Sequence, residues 1–231
     1  MKKWGASLFK RYTAIIILYL LCLFSPYLPG FRNLMHLFPD SKSGFGMAYT
    51  IIFLTTLILT LLLLLPDRRM VRSSRASLAS SAAWAIFGIF ALFALQSIVG
   101  VINTFLLGQP MQSTHTTDVV DLTRYSPIFI FTASIIGPIL EEVVFRKIFF
   151  GSLRQRMPFI LAASISSLVF ALFHQDLPHL LVYFVIGLFL CFVYDRTKRI
   201  GVTMFMHAGM NAIVLIANLS LAHVQLLSLL H

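Results

Sequence analysis

Acidic residues are scarce in this chain. Of its 231 residues eight are Asp or Glu, and Glu141 and Glu142 are the only glutamates. Charged residues of both signs make up 11%, against about one quarter in ordinary globular chains. With 58% hydrophobic residues and a mean hydropathy of +0.89, that deficit excludes an ordinary water-exposed domain. There are two cysteines, Cys22 and Cys191, far apart in apolar runs, so no disulfide framework is expected. A basic stripe interleaved with aromatics is also missing. The net charge of +10 is therefore not the footprint of a nucleic-acid-binding protein.

What the chain does have is one apolar run after another. About twenty residues cross a bilayer as a helix, and seven runs near that length can be drawn: 12–28, 47–65, 82–106, 127–151, 159–173, 178–194 and 200–219. The expectation is an all-α integral membrane protein, a polytopic bundle of about seven transmembrane helices. It divides into an N-terminal three-span region (1–126), a membrane core (127–219) and a C-terminal tail (220–231) that either spans or lies on the surface. The first run follows a basic start, as in a signal peptide. Pro26 and Pro29 close it without a small-residue cleavage site, so it reads as an anchor. In the third run Gln96, Ser97 and Asn103 form a polar inward face, or serve interhelical hydrogen bonds alone.

Fifteen of the eighteen Lys and Arg residues fall in the N-terminus and in 66–81, 146–158 and 195–199; Arg32, Lys42 and Arg124 fall on the alternate side. The positive-inside rule then puts the N-terminus in the cytoplasm and, with seven spans, the C-terminus outside.

The chemistry centres on G-P-I-L-E-E-V-V-F-R, residues 137–146. A carboxylate at membrane depth costs about 2.5–3.5 kcal/mol even on insertion scales, which makes it a functional hypothesis. Glu142 and Arg146 are four apart on one helical face and can neutralise each other. Glu141, turned about 100° from Glu142, is then the free carboxylate, available to polarise water. Gly137-Pro138 should weaken or kink the helix, because Pro removes a backbone donor. An ion-paired helix end beside Arg146 and Lys147 would present the same residues.

Two further features accompany the glutamates. F-A-L-F-H ends at His174, which taken alone is a loop histidine before Asp176 and Pro178. H-A-G-M-N places His207 and Asn211 on one face, with Gly209 admitting a neighbouring helix; taken alone, this is an interhelical hydrogen-bonding pair. Together the groups match the needs of peptide hydrolysis: a base for water, donors for the tetrahedral oxyanion and an acid for the leaving amine. Depth is a tension. At about 1.5 Å per residue, His207 would sit roughly 10 Å and His174 roughly 22 Å above the starts of their runs. Either the fifth run starts later or the helices tilt.

The motifs E-E-x-x-x-R, F-x-x-x-H and H-x-x-x-N, in this order and spacing over about 127–215, resemble those of the CPBP family of intramembrane proteases (CAAX protease and bacteriocin-processing, or Abi). The resemblance implies a four-helix catalytic core whose polar cavity opens toward the cytoplasm. By position, Glu141 resembles the water-activating base with His174 beside it. His207 and Asn211 resemble the groups that stabilise the oxyanion or hold the water, and Glu142 and Arg146 the supporting pair. If a metal takes part, the resemblance implies zinc on Glu141, His174 and His207 with water in the fourth position. No H-E-x-x-H is present, and a metal-free glutamate–histidine mechanism is the reading preferred here.

The implied activity is that of an endopeptidase acting on a membrane-associated hydrophobic peptide or lipid-associated protein tail. It would sit among the lipids of a bacterial cell membrane, in peptide processing or bacteriocin self-immunity rather than prenyl-protein maturation. A non-catalytic peptide-binding immunity or scaffold protein is the competing reading. A transporter is a weaker one, since two repeated halves with broken helices are not visible. The G-x-S-G of rhomboids and the G-x-G-D of aspartyl intramembrane proteases are absent.

Overall fold

The computed structural model describes the backbone of residues 2–69 and 75–228 and the side chains of 7–67 and 75–221. Lys2, Lys3, Arg68, Arg69 and Arg72 of the basic count, and His223 and His231 of the tail, lie outside the described side chains. The described residues are helical, with no strand among them: α1 (Lys2–Leu23), α2 (Pro29–Met35), α3 (Ser41–Leu64), α4 (Leu78–Phe105) and α5 (Thr114–Tyr125) come first. A composite helix, α6, then runs through Phe129–Phe131, Thr132–Ile136, Gly137–Glu141, Glu142–Phe150 and Gly151–Arg154. After it come α7 (Phe159–Phe173), α8 (Leu180–Thr197) and α9 (Ile200–Ser228).

Local chemistry accounts for where the elements begin. Asp40 accepts from Ser43 N at 2.8 Å, so α3 starts several residues before the apolar run does. Ser77 and Ser113 cap α4 and α5 in the same way, accepting from Ser80 N and Thr116 N. Such caps satisfy helix N–H groups that would otherwise lack partners. They explain why the polar connection 107–126 contains a helix.

Among the described residues four helical segments are long and apolar enough to cross a membrane: Ser41–Asp67, Leu78–Phe105, Leu177–Thr197 and Ile200–Leu221. The all-α membrane class stands, whereas a full count of seven spans is not borne out. The run 12–28 breaks at Leu23, where a 3-10 turn, Ser25–Tyr27, carries Pro26. The run 127–151 is divided by changes of helix type. Phe159–Phe173 has the expected bounds but is short, at 15 residues. Beyond residue 219, α9 continues to Ser228 as backbone.

Of these four segments, 177–197 is the most enclosed, with 44% of its apolar window buried against 22% and 17% for α3 and α4. It packs most extensively on α7. Their approach depends on Gly187, where an added Cβ would stand 2.9 Å from Ser167 Cβ and 3.1 Å from its Cα. Gly209 of α9 faces Ile89 of α4, the close helix approach expected of it.

Three apolar bodies result among the described residues, the smallest around Phe150, Ala162 and Cys191. The first joins Ile15, Tyr19 and Phe53 of α1 and α3 to Leu140, Val143, Phe145 and Phe170. The second joins Leu92 and Val99 of α4 to Ile186, Leu190, Met206 and Met210. Burying such side chains contributes about 1.5–3 kcal/mol each where the alternative is water; toward lipid, close packing replaces that term. Glu142 and Arg146 of α6 are neighbours in the chain of residues in the first body, and His207 of α9 is a neighbour of one in the second.

Candidate active site

Pro138 cannot continue an α-helical hydrogen-bond ladder, and α6 absorbs the defect by widening. Thr132–Ile136 is a π-helical turn in which Gly137 N donates to Thr132 O, five residues back. A Cβ on Gly137 would stand 3.2 Å from that same oxygen, so Gly fits where larger residues would crowd. Glu142–Phe150 is a second π segment, closed by a bond from Gly151 N to Arg146 O. Ser166 Oγ of α7 donates to Phe145 O inside it at 2.9 Å. The kink expected at Gly137-Pro138 is thus a pair of π segments, a feature that recurs at functional sites. The two glutamates sit at the junction, Glu141 last in the intervening α-turn and Glu142 first in the second π segment.

Glu142 and Arg146 are both fully buried, with Oε1 and Nε 3.4 Å apart. The Arg146 nitrogens make no hydrogen bond of good geometry among the described residues. The guanidinium lies instead over Phe170, its Cζ 4.1 Å from the ring centre, a cation–π arrangement. His207 stands between the two glutamates. Its Nδ1 is 3.1 Å from Glu142 Oε1 and its Nε2 is 3.7 Å from Glu141 Oε2. With Glu142 ionised its carboxylate can only accept, so Nδ1–H donates to it. In the neutral ring, Nε2 then carries the lone pair on the Glu141 side. A turn of about 100° between adjacent helical residues gives the expectation that the two glutamates point different ways and take different partners. They converge on opposite nitrogens of one imidazole.

Accessibility separates the two. The Glu141 side chain is 20% exposed and that of Glu142 is 0%. Asn211, one turn beyond His207, donates from Nδ2 to Ala133 O in the first π turn at 3.4 Å, bracing the helix that carries the glutamates. His174, half-buried at the end of α7, hydrogen-bonds Phe170 O through Nδ1 at 2.9 Å. A carbonyl accepts, so Nδ1 is the protonated nitrogen here too, and Nε2 is the basic one. The Phe170 ring lies between the histidines, 4.6 Å from His174 and 5.9 Å from His207. The two helices begin where the sequence suggested. A later start of the fifth run is therefore not what brings both histidines to the Phe170 ring.

Several groups not assigned to the site from the sequence surround His174 at this end of α7. The His174 ring stacks on Tyr183 at 4.0 Å. Ser113 Oγ donates to Asp176 Oδ2 at 2.7 Å and so must accept from Tyr183 OH at 3.1 Å. His179 Nδ1 donates to Asp176 Oδ1 at 3.0 Å. Burial opposes the charge of Asp176, yet the bonds from Ser113 and His179 outweigh it and hold the carboxyl below its ordinary range. His115 of α5 approaches His174, with 5.2 Å between ring centres. Asp176 and His179, three apart around Pro178, could have been singled out from the sequence. Ser113 and His115 could not, because only the packing of α5 brings them here.

The zinc set implied by the motifs is not assembled. Among the described residues no three His, Cys, Asp or Glu side chains stand close enough to share an ion. Glu141 and His207 make a two-donor pair, and His174 is not grouped with them.

Helical packing around a glutamate pair, an imidazole held between the two, and a second imidazole across one ring defines a class, and comparison with known proteins agrees. The chain belongs to the CPBP family of membrane proteases. A family model described as "Type II CAAX prenyl endopeptidase Rce1-like" matches residues 123–213. The chain is 35% identical over 226 residues to a putative membrane peptidase, YdiL, of Bacillus subtilis (strain 168), covering 91% of this chain and 90% of that protein. It is 40% identical over 128 residues to the membrane-embedded CAAX protease MroQ of Staphylococcus aureus (strain USA300), covering 53% of this chain and 52% of that one. No solved structure matches.

Proposed function

We propose that this chain is an intramembrane endopeptidase in which Glu141 activates a water molecule against a peptide bond. The observation that carries the reading is the asymmetry of the pair: Glu142 is sealed against Arg146 and His207, whereas Glu141 keeps partial access. Glu141 takes a proton as the water oxygen bonds to the carbonyl carbon. The C–N bond then breaks and the same proton passes to the departing amine. His174 Nε2 offers a second acceptor for the water. His207, oriented by Glu142, and Asn211, bracing the turn at Ala133, hold the geometry around Glu141. Groups positioned in this way contribute about 10²–10⁴-fold through proton transfer.

The substrate in this reading is a membrane-associated hydrophobic peptide or protein tail. Relatives named as a membrane peptidase and a membrane-embedded CAAX protease in two bacteria support peptide or protein processing in a bacterial cell membrane; bacteriocin self-immunity is the use of such cleavage proposed beside it. The Lys and Arg distribution supports a cytoplasmic N-terminus. The test compares membrane-bound and secreted peptides by mass spectrometry from cells carrying wild type or Glu141→Gln. A precursor should accumulate in the variant at equal protein level, with cleavage reduced at least about 100-fold. Identical peptide profiles, with the cellular phenotype intact, would replace the protease by a peptide-binding immunity protein.

A further inference from the structure

The basic end of the bundle holds a cavity of about 350 Å³ whose lining includes neither glutamate. Arg75, Lys147, Lys198 and Arg199 line it, with one carboxylate, Asp67, and the first turn of α9. Topology alone requires positive charge at a membrane face but no walled space. Here the walls are built. Ala76 N donates to Thr197 O at 3.0 Å, and Arg199 Nε donates to Ala76 O at 2.9 Å. These two bonds clasp the segment before α4 onto the α8–α9 turn and set Arg75 at the rim. Thr197, fully buried, accepts from Arg199 N and donates to Val193 O, which fixes the turn itself. Lys198 takes a left-handed conformation there, at φ 54°.

The charges do not cancel. Asp67 is shared by Arg11 at 2.9 Å and Lys147 at 2.8 Å, with Tyr12 OH donating to it as well. Lys198 pairs with Asp195, which also faces Arg154. Arg75 has no carboxylate partner among the described residues, and Arg199 spends one N–H on a carbonyl. The N-terminal end of α9 adds positive potential. At Gly201 an added Cβ would meet nothing within 4 Å, so that turn borders open space. The volume is that of a small-ligand site.

We propose that this cavity binds a phosphate group, that of an anionic phospholipid headgroup at the membrane surface. Basic pockets between membrane helices suit such headgroups, and each Lys or Arg near the surface changes their affinity about fivefold. The experiment places the full chain in phosphatidylcholine nanodiscs with or without phosphatidylglycerol. Retained lipid is read by native mass spectrometry and stability by thermal melting. Wild type should keep one phosphatidylglycerol per chain and melt higher in its presence. Arg75→Gln combined with Lys198→Gln should bind it about 25-fold more weakly while melting as wild type does in phosphatidylcholine alone.

Displacement of the lipid by millimolar inorganic phosphate would assign the cavity to the free anion. Retention against phosphate would assign it to the lipid. Equal retention by wild type and the double variant would overturn the proposal. So would a wild type that does not distinguish the two lipids, an arm that needs no variant to fold.

Discussion

Glu142 and Asp176 each accept the Nδ1–H of a histidine, His207 at 3.1 Å and His179 at 3.0 Å, and both are buried. Beyond that bond they differ. Each oxygen of Asp176 has a donor, Ser113 on one and His179 on the other. It ties α5 to the start of α8 as a satisfied polar clasp. Glu142 faces a guanidinium whose nitrogens lack well-formed hydrogen bonds and which rests on an aromatic ring. Buried donors without partners are rare in native proteins and need a reason. A clasp made for stability is completed by hydrogen bonds. The Glu142 pair is left electrostatic, and its histidine reaches on to a second carboxylate.

That contrast can be broken at either end. Arg146→Ala strands a buried carboxylate and should destabilise by about 3–5 kcal/mol, read as a large fall in melting temperature in detergent. Unchanged stability would mean that Glu142 is not held by charge. Asp176→Asn keeps the shape but loses one of two charge-assisted bonds, a cost of about 1.5–3 kcal/mol. The sign of its pH dependence follows from the lowered folded-state value. The contribution of Asp176 is present above the unfolded carboxyl range, near 4, and is lost as pH falls through the folded value. Wild type should therefore lose on acidification below about pH 4 a contribution that Asp176→Asn never had. Parallel curves would remove Asp176 from that account. Asn103→Ala, which deletes the bond to Pro178 O at 2.9 Å, should cost about 0.5–1.5 kcal/mol in the same melts.

Much of the fold was legible because apolar runs end at punctuation. Phe159–Phe173 and the start at Ile200 follow from Pro158 and from the basic turn before Ile200. The Glu142–Arg146 pairing follows from spacing alone, and the structure brings the two together. Asn103 was readable as a hydrogen-bonding residue or as part of a polar face, and its bond to Pro178 O is the former. The helix α5 was hidden by its polarity, since its one clear signal is the Ser113 cap. The convergence of both glutamates on His207 could not be read either. It depends on helix type within 132–150, and π geometry has no hydrophobic period of its own to detect. The contacts of His174 with Tyr183 on the next helix, and of Asn211 with Ala133 far away in sequence, come from packing that the sequence pattern does not state.

The π segments set how this stretch of chain can vary. A wide turn holds one residue more than an α-turn would close over. Deleting a single residue from 142–150 would let the ladder relax to ordinary α spacing. The residues beyond the deletion would keep their faces, because the wide turn had already taken up the extra residue. In a regular α-helix the same deletion would rotate everything after it by about 100°. The helix that carries both glutamates thus holds a stretch that can lose one residue without a change of register on either side of it.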